Sequence, residues 1–487
     1  MVNPVEFRIN TMLYQSSRGV EQKTFDQIVV DGLAPDGGLY SPVSLPSRKD
    51  LGEAGLVDGL VQASSVKQAI KGLFSLFTPE WPSESDLDDL INQAYVDFRD
   101  PKLATIEMAS DRLSLLNLTQ GPTFAFKDFA LCLLGPLLGH ALTSTSETNL
   151  PTVVLGATSG DTGSAAINGL RNAQGLQVVM LHPHGKVSEI QRRQMTTVSS
   201  GSVHNLAVDG SFDDCQDLVK QSFVDPDIRK SINLIAVNSV NFARVLIQIS
   251  YYIAGVNELK AQIGDNAPDL VNVVVPTGNC GNVLAAWYAK QLGVAIGDIV
   301  VATNANDSFV RFLDSGKLEH VVVHKTLSPS MDIQIPSNLE RILWHLSGQD
   351  SEMISSLMAE YKTNKSVSFP DSVMDALRTE FKAGSVSDQE TLETISNFHA
   401  EHDRVIDPHT ATGVAVANKL SKSDSSHYLV AETAAPDKFL DAVTEAVGFT
   451  PDLNPQLKDL LAKPESFETV TNDYATLVDK LLSVSSS

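Results

Sequence analysis

The feature that most constrains the fold is a repeated pattern in which an apolar run is followed by a glycine-rich turn or a short polar break and then an amphipathic segment. Each apolar run has the length of a buried strand, and the segments that follow have helical spacing. Strands that alternate with helices predict parallel sheets with helices on both faces. The pattern is clearest in PTVVLGATSGDTGSAAINGL (151–170), LQVVMLHP (176–183), VNVVVPTGNCGNVLAAWYAK (271–290) and DIVVATNANDSFVRFL (298–313). We therefore expect an α/β protein.

The N-terminal part of the chain lacks this pattern. Polar turns alternate there with amphipathic stretches, and the apolar residues of DLDDLINQAYVDF (86–98) fall at helical spacing. We predict a mostly helical N-terminal domain at 1–100, a central region of two α/β subdomains at 101–450 and a C-terminal helical tail at 451–487.

The charge balance restricts the partners. The chain has 59 acidic and 36 basic residues and a net charge of −23, which disfavours nucleic acids and anionic membranes. An anionic substrate must therefore be held by local donors against this overall negative charge.

The longest apolar run, FALCLLGPLLGHAL (129–142), is interrupted by Gly135 and Pro136 and is too short to span a bilayer. It predicts a kinked helix in the core.

The cysteines indicate a reducing compartment. Cys132, Cys215 and Cys280 lie far apart with no CxxC pair, so neither a disulfide framework nor a metal site is expected. The first ten residues, MVNPVEFRIN, lack the apolar segment of a secretory signal. We expect a cytoplasmic protein.

Lys127 is the first candidate for chemistry. It follows Phe124, Ala125 and Phe126 and precedes the apolar run 129–142. Most lysines lie in water, but here a surface position would expose an apolar stretch. Burial lowers the pKa of a lysine from about 10.4 and makes the amine a nucleophile for a carbonyl, as in Schiff-base chemistry.

A glycine-rich turn, PTGNCGN (276–282), joins the run VNVVV to a helix. Free N–H groups at the helix start and the positive end of its dipole form a site for an anion such as phosphate. The turn has neither the GK[ST] of a Walker loop nor the GxGxxG spacing of a dinucleotide site. The alternative is a tight turn without a ligand.

A second turn, GATSGDTGSAA (156–166), has the same position between a strand and a helix. It carries Thr158, Ser159, Asp161 and Thr162 beside free N–H groups, which suits a carboxylate or a phosphate. Two anion-binding turns and a Schiff-base lysine together suggest a phosphate-bearing aldehyde cofactor and an anionic amino-acid substrate.

A series of segments resembles a known family in both sequence and order. They are SSRG (16–19), GLAPDGGLYSP (32–42), GPTFAFKDF, GATSGDTGSAA, QMTT (194–197), VDGSFDDCQDLVK (208–220), NSVNFARVLIQISYY (238–252), PTGNCGN, ATNANDSFVRF (302–312), SPSMDIQIPSNLER (328–341) and DPHTATGV (407–414). From about residue 14 to about 450 the chain resembles threonine synthases of the microbial and fungal type. The resemblance implies a fold-type II enzyme, similar to the tryptophan synthase β chain, that uses pyridoxal 5′-phosphate (PLP).

The resemblance also implies residue roles. Lys127 would form the Schiff base, and the Thr433 hydroxyl would face the pyridine nitrogen of PLP. The cofactor phosphate would be held by Gly278, Asn279, Cys280, Gly281 and Asn282, and the substrate carboxylate by Ser159, Asp161 and Thr162. Candidates for the substrate phosphate are Lys186, Asn241, Arg244, Ser337, Asn338 and Arg341. A structural ion pair is the alternative for either arginine.

The implied reaction converts O-phospho-L-homoserine and water into L-threonine and phosphate, with Lys127 as general base. Gln120, Cys280 and Ala435 differ from the family pattern, which has His, Phe and His there. Related vertebrate proteins are phospho-lyases that release 2-oxobutyrate, ammonia and phosphate, so this activity stays the alternative. A binding protein without catalysis is a third reading. The expected partner is a small molecule, and the expected state is a monomer or homodimer.

Overall fold

The computed structural model describes residues 12–45, 56–144 and 150–485. The first ten residues, on which the prediction about a secretory signal rests, lie outside this part of the chain. Among the described residues, no helix has the length and apolar character needed to cross a membrane.

The N-terminal region combines helices with a small sheet. Its elements are β1 (Tyr14–Ser16), β2 (Gln22–Lys23), α1 (Phe25–Asp31), β3 (Tyr40–Pro42), α2 (Leu56–Val61), α3 (Val66–Phe77) and α4 (Glu84–Ala94). The three strands form an antiparallel sheet in the order β2-β1-β3. The sequence predicted the helical content and missed the sheet, because strands of two or three residues are too short to show alternation.

The next part of the chain alternates strands and helices as predicted. Its elements are β4 (Thr105–Ser110), β5 (Leu113–Asn117), α5 (Lys127–Ser144), β6 (Thr152–Ala157), α6 (Asp161–Leu170), β7 (Leu176–Pro183), α7 (Glu189–Thr196), β8 (Val203–Asp209), α8 (Phe212–Val224), α9 (Pro226–Ser231), β9 (Asn233–Ala236) and α10 (Phe242–Ile263). The apolar run 129–142 lies within α5, which continues past Pro136 and is a core helix.

The remaining elements complete two larger sheets. They are β10 (Val271–Pro276), α11 (Gly281–Gln291), β11 (Ile296–Thr303), α12 (Ser308–Ser315), β12 (Lys317–Glu319), α13 (Leu339–Leu346), α14 (Ser351–Asn364), β13 (Ser366–Ser368), α15 (Asp371–Glu380), β14 (Phe381–Ser385), α16 (Asp388–His402), α17 (Pro408–Leu420), β15 (Tyr428–Glu432), α18 (Leu440–Val447), α19 (Pro455–Ala462), β16 (Glu468–Thr471) and α20 (Tyr474–Ser485).

The larger sheet has six strands in the order β14-β11-β10-β15-β5-β4. All neighbouring pairs are parallel except β4 and β5. Val274 of β10 pairs with Val430 of β15, and both side chains are buried. Helices cover both faces of such a sheet, which explains why its central strands are continuous apolar runs.

The smaller sheet has five parallel strands in the order β16-β8-β7-β6-β9. Its edge strand β16 comes from the C-terminal segment that was predicted to be a helical tail. Val470 of β16 pairs with Val208 of β8, and Leu477 and Leu481 of α20 pack into the same apolar cluster. The sequence missed β16 because only one of its four side chains is buried, so no apolar run marks it.

Both glycine-rich turns follow the carboxyl ends of parallel strands. The turn 156–166 leaves β6, and the turn 276–282 leaves β10. Crevices beyond the carboxyl ends of strands are where open α/β sheets bind ligands. The fold therefore brings the two predicted anion sites to ligand-binding edges of its two parallel sheets.

Candidate active site

Lys127 begins α5, and its side chain is 12% exposed. Its Nζ lies 3.5 Å from Oδ2 of Asp161 and 4.9 Å from the centre of the Phe126 ring. Burial lowers the pKa of this amine, Asp161 opposes the shift, and Lys438 and Arg244 add to it. The predicted partial burial and the predicted direction of the pKa shift are both present.

The turn before Lys127 is tied to the end of β15. The Phe126 N–H donates to the Thr433 carbonyl at 2.9 Å, and the Ala435 N–H donates to the Phe124 carbonyl at 3.0 Å. Phe124 has a φ of 60°, which costs an L-residue about 1–2 kcal/mol. The guanidinium of Arg99 lies 3.6 Å from the Phe124 ring centre and helps to hold it there.

Asp161 stands at the first position of α6 and contacts four other side chains of the site. Its Oδ1 accepts hydrogen bonds from Lys438 at 2.6 Å and from Gln191 at 2.9 Å. Its Oδ2 accepts one from the Ser330 hydroxyl at 3.1 Å and faces Lys127. Burial alone would raise the pKa of Asp161, but Lys438 and then Lys127 bring it well below its ordinary value.

The turn after β10 is tightly packed. A Cβ on Gly278 would lie 2.4 Å from the Ser330 carbonyl oxygen, so only glycine fits beside that backbone. Cys280 has a φ of 56° and caps α11 at its N-terminus. Its side chain is buried in the core, and burial raises the pKa of the thiol, so it packs there as an inert residue.

Two buried polar atoms at this turn have no hydrogen-bond partner among the described residues: Asn282 Nδ2 and, beside Gly281, Gln248 Oε1. The Asn282 Oδ1 accepts from the hydroxyls of Tyr251 and Tyr252 at 2.5 and 2.7 Å, which fixes the amide. Buried polar groups are almost always satisfied. The unpaired atoms therefore indicate a polar ligand at the start of α11.

Family models cover most of the chain. The model "Threonine synthase N terminus" matches residues 13–95, "Pyridoxal-phosphate dependent enzyme" matches 112–360 and "Threonine synthase, C-terminal" matches 410–481. The threonine synthase of Pseudomonas aeruginosa is 38% identical over 466 residues, covering 95% of this chain and 97% of that protein. The chain belongs to the threonine synthase family.

Solved structures agree with this assignment. A PLP-bound threonine synthase from Brucella melitensis has a TM-score of 0.90 and 35% identity, covering 98% of this chain and 100% of that chain. The yeast threonine synthase has a TM-score of 0.89 and 34% identity, with coverage of 97% and 99%. The predicted family, the fold-type II architecture and the PLP-dependent class of enzyme are confirmed.

The residues at the carboxyl end of β10 fit the cofactor of this family. The unpaired Asn282 Nδ2 and the N–H groups that open α11 are donors for a phosphate. Thr433 is buried directly after β15, next to the turn that carries Lys127. The roles of the individual residues in holding PLP stay predictions.

Two of the residues predicted to bind substrate phosphate make extensive contacts within the protein. Asn241 caps α10 through Ala243 N–H and donates to the Val29 carbonyl. The fully buried Arg341 donates to the Tyr40 and Val240 carbonyls and to Asn338. Their substrate roles stay predictions, and these contacts favour a structural role that attaches the N-terminal region.

The other candidates for the substrate phosphate differ in position. Arg244 is buried, its positive charge acts on Lys127, and it donates one hydrogen bond to the Val237 carbonyl while its Nε is left unpaired. Burial lowers the pKa of this guanidinium to about 10. Ser337 and Asn338 contact Asn279 of the glycine-rich turn 276–282. The exposed Lys186 donates to Gly210 after β8.

The turn before α6 carries the residues predicted to bind the substrate carboxylate. The Thr158 hydroxyl accepts hydrogen bonds from the N–H groups of Gly160 and Gly163, each at 2.9 Å, and so closes the turn. Ser159 and Thr162 are partly exposed on it. Sequence analysis missed Lys438, Gln191, Ser330 and Gln248. Ser330 and Gln248 lie in the segments 328–341 and 238–252, so the resemblance of these segments to the family was a signal that could have found them.

The departures from the family pattern are accommodated locally. Ala435 packs with Phe124, Ile190 and Leu457 in a small apolar cluster. Gln120 donates to Asn117 at 3.3 Å. Neither side chain supplies a group that titrates near neutral pH.

Proposed function

We propose that the protein converts O-phospho-L-homoserine and water into L-threonine and phosphate. The observation that carries the proposal is the buried Lys127 amine beside Asp161, in a chain that matches threonine synthases over nearly its full length. PLP, when bound, supplies an electron sink for such a reaction. The protein supplies binding, orientation and proton transfer.

Lys127 is the proposed general base. A base must be neutral at the working pH, and burial with the nearby charges of Lys438 and Arg244 favours the neutral amine. Its Nζ would take the proton from Cα of the substrate. Asp161 gives the amine a fixed neighbour and so limits the directions in which it can point.

The substrate carboxylate is the proposed ligand of the turn before α6. N–H groups at a helix start attract anions, and Ser159 and Thr162 add hydroxyl donors. The negative charge of Asp161 would oppose this binding if it stood alone. Its ion pair with Lys438 offsets that charge, and hydrogen bonds from Gln191 and Ser330 stabilise the carboxylate.

Cofactor and substrate phosphates have separate proposed donors. Gly278, Asn279, Cys280, Gly281 and Asn282 would hold the cofactor phosphate, and Thr433 would face the ring nitrogen. Among the candidates for the substrate phosphate we favour Arg244, because its Nε is buried and unpaired and its positive charge acts on Lys127.

Product analysis tests the reaction. Purified protein loaded with PLP is mixed with O-phospho-L-homoserine and followed by proton and phosphorus NMR, beside a Lys127→Ala control. We expect L-threonine and an equal amount of phosphate from the wild type alone. A protein that takes up no PLP and releases no phosphate would instead be a binding protein without catalysis.

The same experiment distinguishes the phospho-lyase. Ala435 places a methyl group in an apolar cluster where the family pattern has an imidazole, and the loss of this titratable group is the observation that keeps the phospho-lyase as the second candidate. A difference of about 1.4 kcal/mol between two barriers changes the product ratio tenfold. 2-Oxobutyrate with ammonia and phosphate would assign the lyase activity and leave Lys127 in its role.

We also propose that the protein is cytoplasmic, acts on a small molecule without nucleic-acid or membrane partners, and is a monomer or homodimer. All three cysteines are free and buried, which suits a reducing compartment. Light scattering of the purified protein would measure its oligomeric state. Fractionation of cells would test its location.

A further inference from the structure

Asp161 is a single buried carboxylate that contacts two lysines. We propose that Lys438 is a positioning residue: its ammonium fixes the Asp161 carboxylate and the turn before Lys127, and thereby sets the orientation and charge of the reactive amine. The inference rests on the proposed role of Lys127. Lys438 itself is buried in the short 3-10 turn that follows β15.

The contacts of Asp161 divide between its two oxygens. Lys438 and Gln191 occupy Oδ1 at 2.6 and 2.9 Å, and both side chains are almost fully buried. Oδ2 accepts from Ser330 and is left facing Lys127 at the longer distance of 3.5 Å. Asp161 therefore makes its short ionic contact with Lys438 and a longer, weaker one with Lys127.

Lys438 also holds the chain just before Lys127. Its Nζ donates to the Thr123 carbonyl at 2.8 Å, and Gln194 donates to the same oxygen at 3.0 Å. The Thr123 N–H and hydroxyl in turn donate to Asp128 at 2.8 and 2.5 Å. One ammonium thus connects the turn that carries Lys127 to the carboxylate that Lys127 faces.

The charges around both groups give the effect of Lys438 a definite sign. Asp161, Lys438 and Arg244 are the charged groups that act on Lys127. Lys438, Lys127 and His409 act on Asp161. Without the Lys438 charge, Lys127 loses a repulsive neighbour and Asp161 loses its main partner. Both changes favour protonated Lys127 and so reduce its reactivity near neutral pH.

The test measures covalent loading of the apoprotein with PLP alone, without substrate. The rate at which violet absorbance appears is followed against pH, and borohydride reduction with peptide mapping locates the link. We expect Lys438→Met to move the pH midpoint of loading upward by about one unit, which makes loading about tenfold slower near neutral pH. Lys438→Arg keeps the positive charge, so its loading midpoint should stay close to that of the wild type.

Two further variants separate positioning from a general structural effect. Lys220→Met removes a lysine from an exposed pair with Asp217 and should leave the midpoint unchanged. In an Asp161→Asn background, adding Lys438→Met should shift the midpoint less than in the wild type, because this background has no carboxylate that loses its ionic partner. The double variant also removes both members of the buried pair together, which is tolerated better than removal of one.

The proposal is overturned if folded Lys438→Met loads with the wild-type pH profile, or if the shift is equally large in the Asp161→Asn background. If Lys438→Met does not fold, two other comparisons of the loading midpoint decide. Lys438→Arg is compared with the wild type, and the double variant is compared with Asp161→Asn. A wrong substrate assignment would leave these results unchanged, whereas a link to a residue other than Lys127 would refute the site.

Discussion

At the scale of single residues, the chemistry of Lys127 follows from its surroundings. The amine has apolar residues before and after it, two cationic neighbours and one carboxylate. Burial and the cations favour the neutral form, and the carboxylate, which is already bound by Lys438, opposes them only partly. Phe124, three residues before Lys127, keeps a left-handed backbone conformation because its carbonyl, its N–H and its ring all have partners.

This arrangement predicts the pH dependence of cofactor loading. The pKa of Lys127 is lowered, so its neutral fraction grows at a lower pH than that of a free lysine. The loading rate should rise with pH and level off below about pH 10.4, the ordinary lysine pKa. Absorbance measurements on apoprotein across this range test it, with Lys127→Arg as the control that forms no link. A profile that follows free lysine would contradict the predicted burial.

At the scale of elements, helix ends connect the N-terminal region to the catalytic core. Asn241 caps α10 and also donates to the last turn of α1 through the Val29 carbonyl. Arg341 in α13 donates to the Tyr40 carbonyl of β3. Both side chains lie in segments that resemble the family, yet their contacts are those of connecting residues.

We predict that Asn241→Ala lowers the free energy of unfolding by about 1–2 kcal/mol, because it removes a cap and a buried hydrogen bond. The KM for O-phospho-L-homoserine should stay close to that of the wild type. Denaturant unfolding and steady-state kinetics measure the two quantities. Asn241→Ser retains a capping oxygen and should lose less stability. A large rise in KM without loss of stability would instead support the substrate role.

The end of α14 offers a stabilising substitution. Lys365 follows this helix with a φ of 58° and is exposed. Glycine adopts this conformation without strain, so Lys365→Gly should raise the free energy of unfolding by about 1 kcal/mol. Ala359→Gly, within the same helix, should lower it by about 1 kcal/mol. Equal effects of the two substitutions on the unfolding midpoint would argue against the left-handed cap.

Sequence reasoning found those parts of the fold and site that consecutive residues encode. The buried strands β6 and β10, their turns and α5 each have a local pattern. β16 has none, because it completes the edge of a sheet whose other strands lie far away in sequence. Lys438 was missed as a functional residue for the same reason: its importance comes from Asp161 and Thr123, which only the tertiary structure brings near.

At the scale of the whole molecule, the C-terminal segment belongs to the five-stranded lobe. β16 extends the sheet, and α20 buries Leu477 and Leu481 against side chains of β6, β7 and β8. The family model for the threonine synthase C-terminal region likewise continues to residue 481. We propose that residues 451–485 fold together with this lobe.

Leu481→Ala tests this view. The side chain is fully buried, so its truncation should lower the free energy of unfolding by about 2–5 kcal/mol. Hydrogen exchange should become faster in β8 and β16 before it changes in β10. Leu482→Ala, on the more exposed side of the same helix, should have a much smaller effect. Unchanged exchange in β8 would mean that the segment folds independently.

The bond between Lys438 and the Thr123 carbonyl joins residues 315 positions apart in the chain. During synthesis the N-terminal part of a protein leaves the ribosome first. A nascent chain that ends before residue 438 already contains Lys127 and both glycine-rich turns, yet it lacks the ammonium that neutralises Asp161. Assembly of this pocket therefore waits until residue 438 has been synthesised, and incomplete translation products that end earlier would carry the reactive lysine without the finished site around it.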